Sequence, residues 1–331
     1  MSTNEVPVID IAPFLSGRDR AGVVAQIKKA SEGIGFFSIV GHGVPEELIE
    51  KMREVSNAFF DLPLPEKEKV KRDTRAGSPP GYSMLGDVAL AKSLGAATPP
   101  DYQEGFVSGR PDIPNAPYWQ TELAKRFNMP NVWPARPAGF RETYETYYRV
   151  MDRLSAQIMR MFALALDLDE EYFASKTDKA FDVLKVVRYP AQKVAPVEGQ
   201  LRSGAHTDYG MVTILLAEDK PGGLQVRTRA GQWVDVHPLA NSFVINIGDL
   251  MMQWTNDHWI STLHRVANPP REFAEVPRLS VVFFHQANYD AEVRCIDKYA
   301  GAASAPKYAT EIAGEHFLNK QTKVREPKAT A

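Results

Sequence analysis

Apolar residues follow two rhythms along this chain, and the change from one to the other divides it. Val23, Ile27, Ala30 and Ile34 recur at helical steps, as do Leu48, Met52, Val55 and Phe59. Gly33 and Gly35 close the first of these helices, and Pro45 stands at the start of the second, where its missing N–H costs nothing. The longest stripe runs through Phe140, Tyr144, Tyr147, Met151, Leu154, Ile158, Met161 and Ala165 in steps of four and three. It predicts a long helix whose stripe packs into a core. Short strands are expected at Pro7–Ile11 and Phe36–Val40, and a solvated helix over the Lys/Glu-rich segment Pro65–Arg72. After Phe181 the rhythm becomes that of strands. Leu184–Arg188, Val212–Ala217, Leu224–Arg227, Trp233–His237, Phe243–Ile247 and Leu279–Phe284 are separated by Pro221-Gly222-Gly223, Ala230-Gly231 and Asn268-Pro269-Pro270. Many short strands with such turns indicate a β-sandwich or jelly-roll barrel. Pro306–Lys323 reads as a helix packed against it. Between the two regimes, Asp73–Pro137 is rich in Pro, Gly and Ser, and is either a lid or substrate loop or a surface excursion.

Composition narrows the setting. The 331 residues are 44% hydrophobic, enough for a large core in one domain or two. The net charge of −2 comes from mixed acids and bases, so neither a nucleic-acid stripe nor a polybasic membrane patch is expected. One cysteine, Cys295, allows no intramolecular disulfide and points to a reducing compartment. The first ten residues lack a secretion signal, and no apolar run reaches the roughly 20 residues of a membrane span. The expectation is a soluble, cytoplasmic protein acting on a small molecule, with its oligomeric state open.

The chemistry concentrates in His206-Thr207-Asp208, then His264, then Arg278-Leu279-Ser280. On a strand, residues two apart share a face, so His206 and Asp208 can meet one ion, with His264 supplied by another strand. Two imidazoles and one carboxylate are the protein ligands of a non-haem Fe(II) site that keeps open coordination positions. In a chain with seven histidines a His-x-Asp tripeptide alone carries little. His42 reads as a turn residue, and His237, His258, His285 and His316 as ordinary core or surface histidines. Asp249 and Asp257 read as supporting or turn residues.

The surrounding segments add a resemblance. Val6-Pro7-Val8-Ile9-Asp10, Gly35-Phe36-Phe37 and Gly41-His42-Gly43-Val44 lie in the N-terminal part. Asn246-Ile247-Gly248-Asp249, Ser261-Thr262-Leu263-His264-Arg265-Val266 and the Arg-x-Ser pair lie in the C-terminal part. Through most of its length the chain resembles the iron- and 2-oxoglutarate-dependent dioxygenases of the isopenicillin N synthase-like family. That resemblance implies an α+β fold with a double-stranded β-helix (jelly-roll, cupin-like) barrel flanked by helices. It implies an N-terminal helical and mixed region over 1–120 and a catalytic region over 121–331, in one compact unit.

By the same resemblance, His206, Asp208 and His264 would hold Fe(II). Arg278 and Ser280 would hold the distal carboxylate of the co-substrate 2-oxoglutarate, which suits a guanidinium fork. Tyr189 would lie near that co-substrate, although Val187-Arg188-Tyr189-Pro190 departs from the Asn-Tyr-Tyr-Pro usual in the plant enzymes. The implied reaction consumes O2 and releases succinate and CO2 while hydroxylating, desaturating or cyclising a metabolite. Asp208 speaks against halogenation, because related halogenases vacate that position for chloride. Phe284, six residues after Arg278 on the same strand face, is a candidate for the substrate pocket, with Tyr102 and Phe106 from the irregular stretch. Two other readings stay open: an oxidase of the same family that does not use 2-oxoglutarate, and a non-catalytic metal-binding sensor.

Overall fold

Alternation along the strands decides the architecture. The computed structural model describes residues 6–73, 80–96, 98–300 and 305–325. Within them the strands are β1 (Val8–Asp10), β2 (Phe36–Val40), β3 (Gly81–Ser83), β4 (Glu104–Ser108), β5 (Val183–Tyr189), β6 (Ser203–His206) and β7 (Val212–Ala217). They continue as β8 (Leu224–Arg227), β9 (Trp233–Asp235), β10 (Phe243–Ile247), β11 (His264–Val266), β12 (Arg278–His285), β13 (Glu292–Val293) and β14 (Glu311–Ile312). An eight-stranded sheet has the order β1-β2-β10-β7-β12-β5-β4-β3, and a four-stranded sheet the order β6-β11-β8-β9. The two sheets form the sandwich of a jelly roll, so the expected fold class is the one observed.

One face of the large sheet carries Phe37, Leu184, Val186, Ile214, Ile245, Val281 and Phe283 into the main hydrophobic core. The long helix Phe140–Ala165 covers that face, with Phe162 6.4 Å from Phe37 and Tyr148 5.2 Å from Phe283, ring to ring. Helices Arg20–Glu32 and Glu46–Phe60 pack in turn on the long helix. The opposite face turns toward the small sheet. There Phe36 and Val244 meet Leu224, Val226 and Val236 in a second, smaller core. Residues one step apart on a strand therefore serve the helical layer or the sandwich interior, never both.

Several expected elements differ in extent. The irregular stretch contributes β3 and β4 to the edge of the large sheet, where β4 pairs with β5 from Glu104↔Arg188 to Ser108↔Leu184. The glycine-rich and polar surroundings of Glu104–Ser108 hide this strand from a reading by composition. The solvated helix expected over 65–72 is shorter, Leu64–Glu68. Its Lys67 is buried and donates to Glu104 Oε2 at 2.7 Å and to the Phe60 carbonyl at 3.0 Å. Ile34 falls beyond the first long helix, which stops at Glu32 before Gly33. Gly35, with φ +71°, brings the chain so close to the Ile260 carbonyl that a Cβ would sit 2.8 Å from it. The C-terminal helix starts at Ala313 rather than Pro306, after the short strand β14. Among the described residues no helix is long and apolar enough to cross a membrane.

Phe106 shows the consequence of alternation. It is fully buried among Phe59, Phe140, Tyr144 and Trp133, at ring distances of 5.2, 5.0, 5.6 and 6.2 Å. Phe106→Ala is expected to lower the unfolding free energy by about 3–5 kcal/mol in a urea titration. A loss under roughly 1 kcal/mol would show that this cluster does not anchor the helical layer.

Candidate metal centre and active site

His206 ends β6, and its partner across the small sheet is His264 of β11, with ring centroids 4.4 Å apart. Asp208 lies two residues beyond His206, past the end of the strand. The strand argument thus covers His206 alone, and tertiary contacts bring Asp208 in. One ligand atom from each of the three residues falls within 4.8 Å of the others. Asp208 Oδ1 stands 3.8 Å from His206 Nε2 and 3.7 Å from His264 Nε2. Those separations are too long for hydrogen bonds and suit atoms ringed around one ion.

The remaining polar atoms of the triad are committed elsewhere. His206 Nδ1 lies 2.7 Å from the Gly204 carbonyl and His264 Nδ1 3.0 Å from the Thr262 carbonyl. A carbonyl only accepts, so each Nδ1 carries a proton and each Nε2 is left facing the centre. Asp208 Oδ2 accepts from Thr213 Oγ1 at 2.6 Å and Asn246 Nδ2 at 2.7 Å, which leaves Oδ1 for the centre. The Asp249 amide donates to the Asp208 carbonyl at 2.8 Å. Gly248 permits this approach, since a Cβ there would lie 2.2 Å from the Gly210 carbonyl. Burial, with His264 adding to it, draws the His206 imidazole down to about 4, so it stands neutral. Burial pushes the Asp208 carboxyl up, but the two imidazoles and the Thr213 and Asn246 donors outweigh it and hold the carboxyl below its ordinary range. A neutral His206 imidazole and an ionised Asp208 carboxylate are protonation states that suit a divalent metal.

Arg278 opens β12, is only 1% exposed, and faces Tyr189 across the β12–β5 pairing. Its Nη1 donates to Ser280 Oγ at 3.1 Å and its Nε to the Glu218 carbonyl at 3.2 Å. Arg278 Nη2 is buried with no hydrogen-bond partner among the described residues. Such an orphaned guanidinium nitrogen is costly unless an anion meets it. Tyr189 lies beside this fork, with its ring centre 5.9 Å from the guanidinium carbon. Arg202, also buried, donates to the carbonyls of Pro221, Gly222 and Val276 and so fixes the loops around Arg278. Burial, and then the charge of Arg278, lower the Arg202 guanidinium to about 10. The group that fits here is a carboxylate.

A cavity of about 470 Å³ opens beside His206 and Asp208. Phe284 lines it, as do Val183 and Lys185 of β5 and Gln286 just past β12. Burial lowers the Lys185 ammonium to about 8. Of the three aromatic candidates only Phe284 reaches the cavity. Phe106 sits one step out of phase, and its neighbour Val107 takes the lining position on β4. Tyr102 is held aside by its hydroxyl, which donates to the Ala191 carbonyl at 3.1 Å. The C-terminal helix Ala313–Arg325 supplies Phe317 and Gln321 to the cavity wall. Lys320 of the same helix pairs with buried Asp249 at 2.7 Å. Sequence reasoning missed Thr213, Lys185, Arg202, Gln286 and the wall from the C-terminal helix. The signal for Lys185 was present: it is the one charged residue in the run Val183–Val187, in phase with Tyr189.

Comparison with known proteins agrees with this geometry. Residues 6–136 match the family described as the N-terminal region of non-haem dioxygenases in morphine synthesis, and residues 181–287 the 2OG-Fe(II) oxygenase superfamily. The chain is 35% identical to a 2-oxoglutarate-Fe(II) type oxidoreductase of Emericella nidulans, over 93% of this chain and 87% of that one. It is 35% identical to a homoarginine-6-hydroxylase of Arabidopsis thaliana, over 95% of this chain and 96% of that one. A full-length Neurospora crassa protein, solved in complex with alpha-KG and thymine, superposes with a TM-score of 0.83 at 29% identity, over 97% of this chain and 98% of that one. The JOX2 structure with 2OG, Fe and JA gives 0.76 at 28% identity, over 98% and 90%. The fold and the convergent triad define a non-haem iron oxygenase. The chain belongs to the 2OG-Fe(II) oxygenase superfamily, in its isopenicillin N synthase-like branch, and is an oxidoreductase using Fe(II), 2-oxoglutarate and O2. This sets aside both the oxidase without 2-oxoglutarate and the non-catalytic sensor.

Removing both anchors of Asp208 Oδ2, in a Thr213→Val/Asn246→Leu double variant, is expected to weaken Fe(II) binding by roughly 10–100-fold. An anaerobic competition against a chelator reads this, and an unchanged affinity would show that Asp208 needs no such support.

Proposed function

We propose that His206, Asp208 and His264 hold Fe(II) on one face. In this reading Arg278, Ser280 and Tyr189 take the distal carboxylate of 2-oxoglutarate, and the cavity takes a small metabolite that is oxidised with release of succinate and CO2. The carrying observation is that Asp208 Oδ1 and the two Nε2 atoms converge while Oδ2 and both Nδ1 atoms are tied elsewhere. The bound iron and 2-oxoglutarate would supply the oxidising power by coupling O2 reduction to decarboxylation. The protein's own contribution is placement. The Nδ1 hydrogen bonds keep both rings aimed, Thr213 and Asn246 keep one oxygen of Asp208 forward, and Arg278 gives a dry, charged anchor. Phe284 forms an apolar wall next to the triad, where it would exclude water from the reacting carbon.

The relatives support a small polar or acidic substrate: homoarginine and validamycin A appear in their names, thymine and jasmonate in their structures. Hydroxylation is the outcome we favour, because several relatives are named hydroxylases. The same reading treats 1–120 and 121–331 as one unit, since β4 pairs with β5 across that boundary. It places the protein in the cytoplasm, in keeping with its single cysteine, the free and buried Cys295.

The test is consumption of 2-oxoglutarate by the iron-loaded protein, read as succinate formed against O2 used. Equal amounts are expected. Asp208→Ala should abolish iron binding and succinate formation. Arg278→Ala should keep iron yet raise the KM for 2-oxoglutarate about 10–100-fold, the worth of a charged hydrogen bond at roughly 1.5–3 kcal/mol. Substrate turnover without 2-oxoglutarate would contradict the assignment.

A further inference from the structure

Lys185 is a cation without a partner among the described residues. It lies on the sandwich face of β5 opposite Val282 of β12, and it lines the cavity together with His206 and Asp208. Among the described residues its Nζ has neither a hydrogen bond nor an ion pair. The contrast with Lys67 is direct, since that buried ammonium is met by Glu104 at 2.7 Å. The carboxylates that Lys185 senses are Asp101 and Asp208, and both are already engaged. Asp101 accepts from the amides of Gly204 and Leu90 and from Gln103 Nε2. Asp208 gives Oδ2 to Thr213 and Asn246 and turns Oδ1 to the imidazoles. A second cation, Arg72, lines the same cavity.

The positions along β12 separate two ligand seats. Arg278 and Ser280, opposite Tyr189 and Val187, form one end of the face. Val282 opposite Lys185 comes next, then Phe284 opposite Val183, then Gln286. Gln286 is 2% exposed, lines the cavity, and its Oε1 has no hydrogen-bond partner among the described residues. The cavity wall therefore carries the Lys185 ammonium, without a partner among the described residues, and the Gln286 side chain on either side of the Phe284 ring. Lys185 is half-buried, and a ligand that covers its charge in such surroundings pays a cost unless it brings the counter-ion.

We propose that the primary substrate carries a carboxylate that pairs with Lys185, with its body across Phe284 and a polar group toward Gln286. This rests on the Fe(II)/2-oxoglutarate reading above and narrows its substrate class to organic acids. Lys185 then acts as a specificity-determining residue, because a neutral analogue leaves its half-buried ammonium at the cavity wall without a counter-charge.

The experiment measures substrate-stimulated succinate formation by the iron-loaded enzyme with 2-oxoglutarate and O2. The probes are L-homoarginine and jasmonate, the methyl ester of each, and thymine as a neutral compound. A free acid is expected to raise succinate formation and its methyl ester to be at least about tenfold weaker. Lys185→Met should raise the KM for that acid about tenfold or more, by a larger factor than the KM for 2-oxoglutarate. Lys185→Arg, which keeps the charge, should retain the preference for acid over ester. An ester as effective as its acid, or stimulation by thymine and by neither acid, would overturn the proposal. So would a Lys185→Met variant whose defect lies in 2-oxoglutarate alone, which would move Lys185 to the co-substrate seat. No succinate under any addition would overturn the underlying Fe(II)/2-oxoglutarate reading and this inference with it.

Discussion

The two oxygens of one buried carboxylate join the two sheets of this protein. Asp208 Oδ2 is held from the large sheet by Thr213 of β7 and Asn246 of β10. Its Oδ1 faces the imidazoles of His206 and His264 on the small sheet. An ionised carboxylate is expensive to bury, and the Thr213 and Asn246 donors offset part of that cost. Much of the surrounding structure serves this arrangement: the approach of Gly248 to Gly210, the direct pairing of His206 with His264, and the Nδ1 hydrogen bonds that orient both rings.

The registers show how the large sheet presents the site. Phe36, Asn246, Thr213, Phe284 and Val183 are successive partners across β2, β10, β7, β12 and β5. All five therefore face the sandwich interior. Phe36 lies edge-on to His264 at 5.4 Å, Asn246 and Thr213 hold Asp208, and Phe284 and Val183 wall the cavity. Moving along β12 instead gives Arg278, Ser280, Val282 and Phe284 on that same face. Metal support runs across the strands and the ligand seats run along them. The out-of-phase residues belong to the helical layer, as Tyr148 against Phe283 shows.

This geometry explains which parts of the molecule were legible in the sequence. The long helix and the later strands carry strong apolar periodicity, so their existence and type followed from it within a few residues. His206, Asp208, His264, Arg278 and Ser280 stood out because their order and neighbouring segments resemble a known family. Asp208 itself follows from no local rule: it lies past the strand, and Asn246 and Thr213 place it from other strands. Phe106 looked suitable for a pocket because it is aromatic, yet the phase of β4 sends it to the core, and that phase is invisible without knowing that β4 exists. Lys185 and Gln286 were ordinary as residue types. Their significance lies in their place on the cavity wall without a hydrogen-bond partner for the Lys185 ammonium or the Gln286 Oε1 among the described residues, a property of the packed structure. The wall formed by Phe317 and Gln321 depends on where the C-terminal helix docks, which depends on Asp249 and Lys320.

In this fold one centre would bind Fe(II) through His206, Asp208 and His264, and 2-oxoglutarate toward Arg278. The most direct measurement is an anaerobic titration of 2-oxoglutarate into the Fe(II)-loaded protein, followed by visible absorption. Chelation of the iron by the keto acid should produce a weak charge-transfer band that saturates at one equivalent per chain. Iron bound with no such band at saturating 2-oxoglutarate, or tight zinc binding in place of iron, would contradict the account.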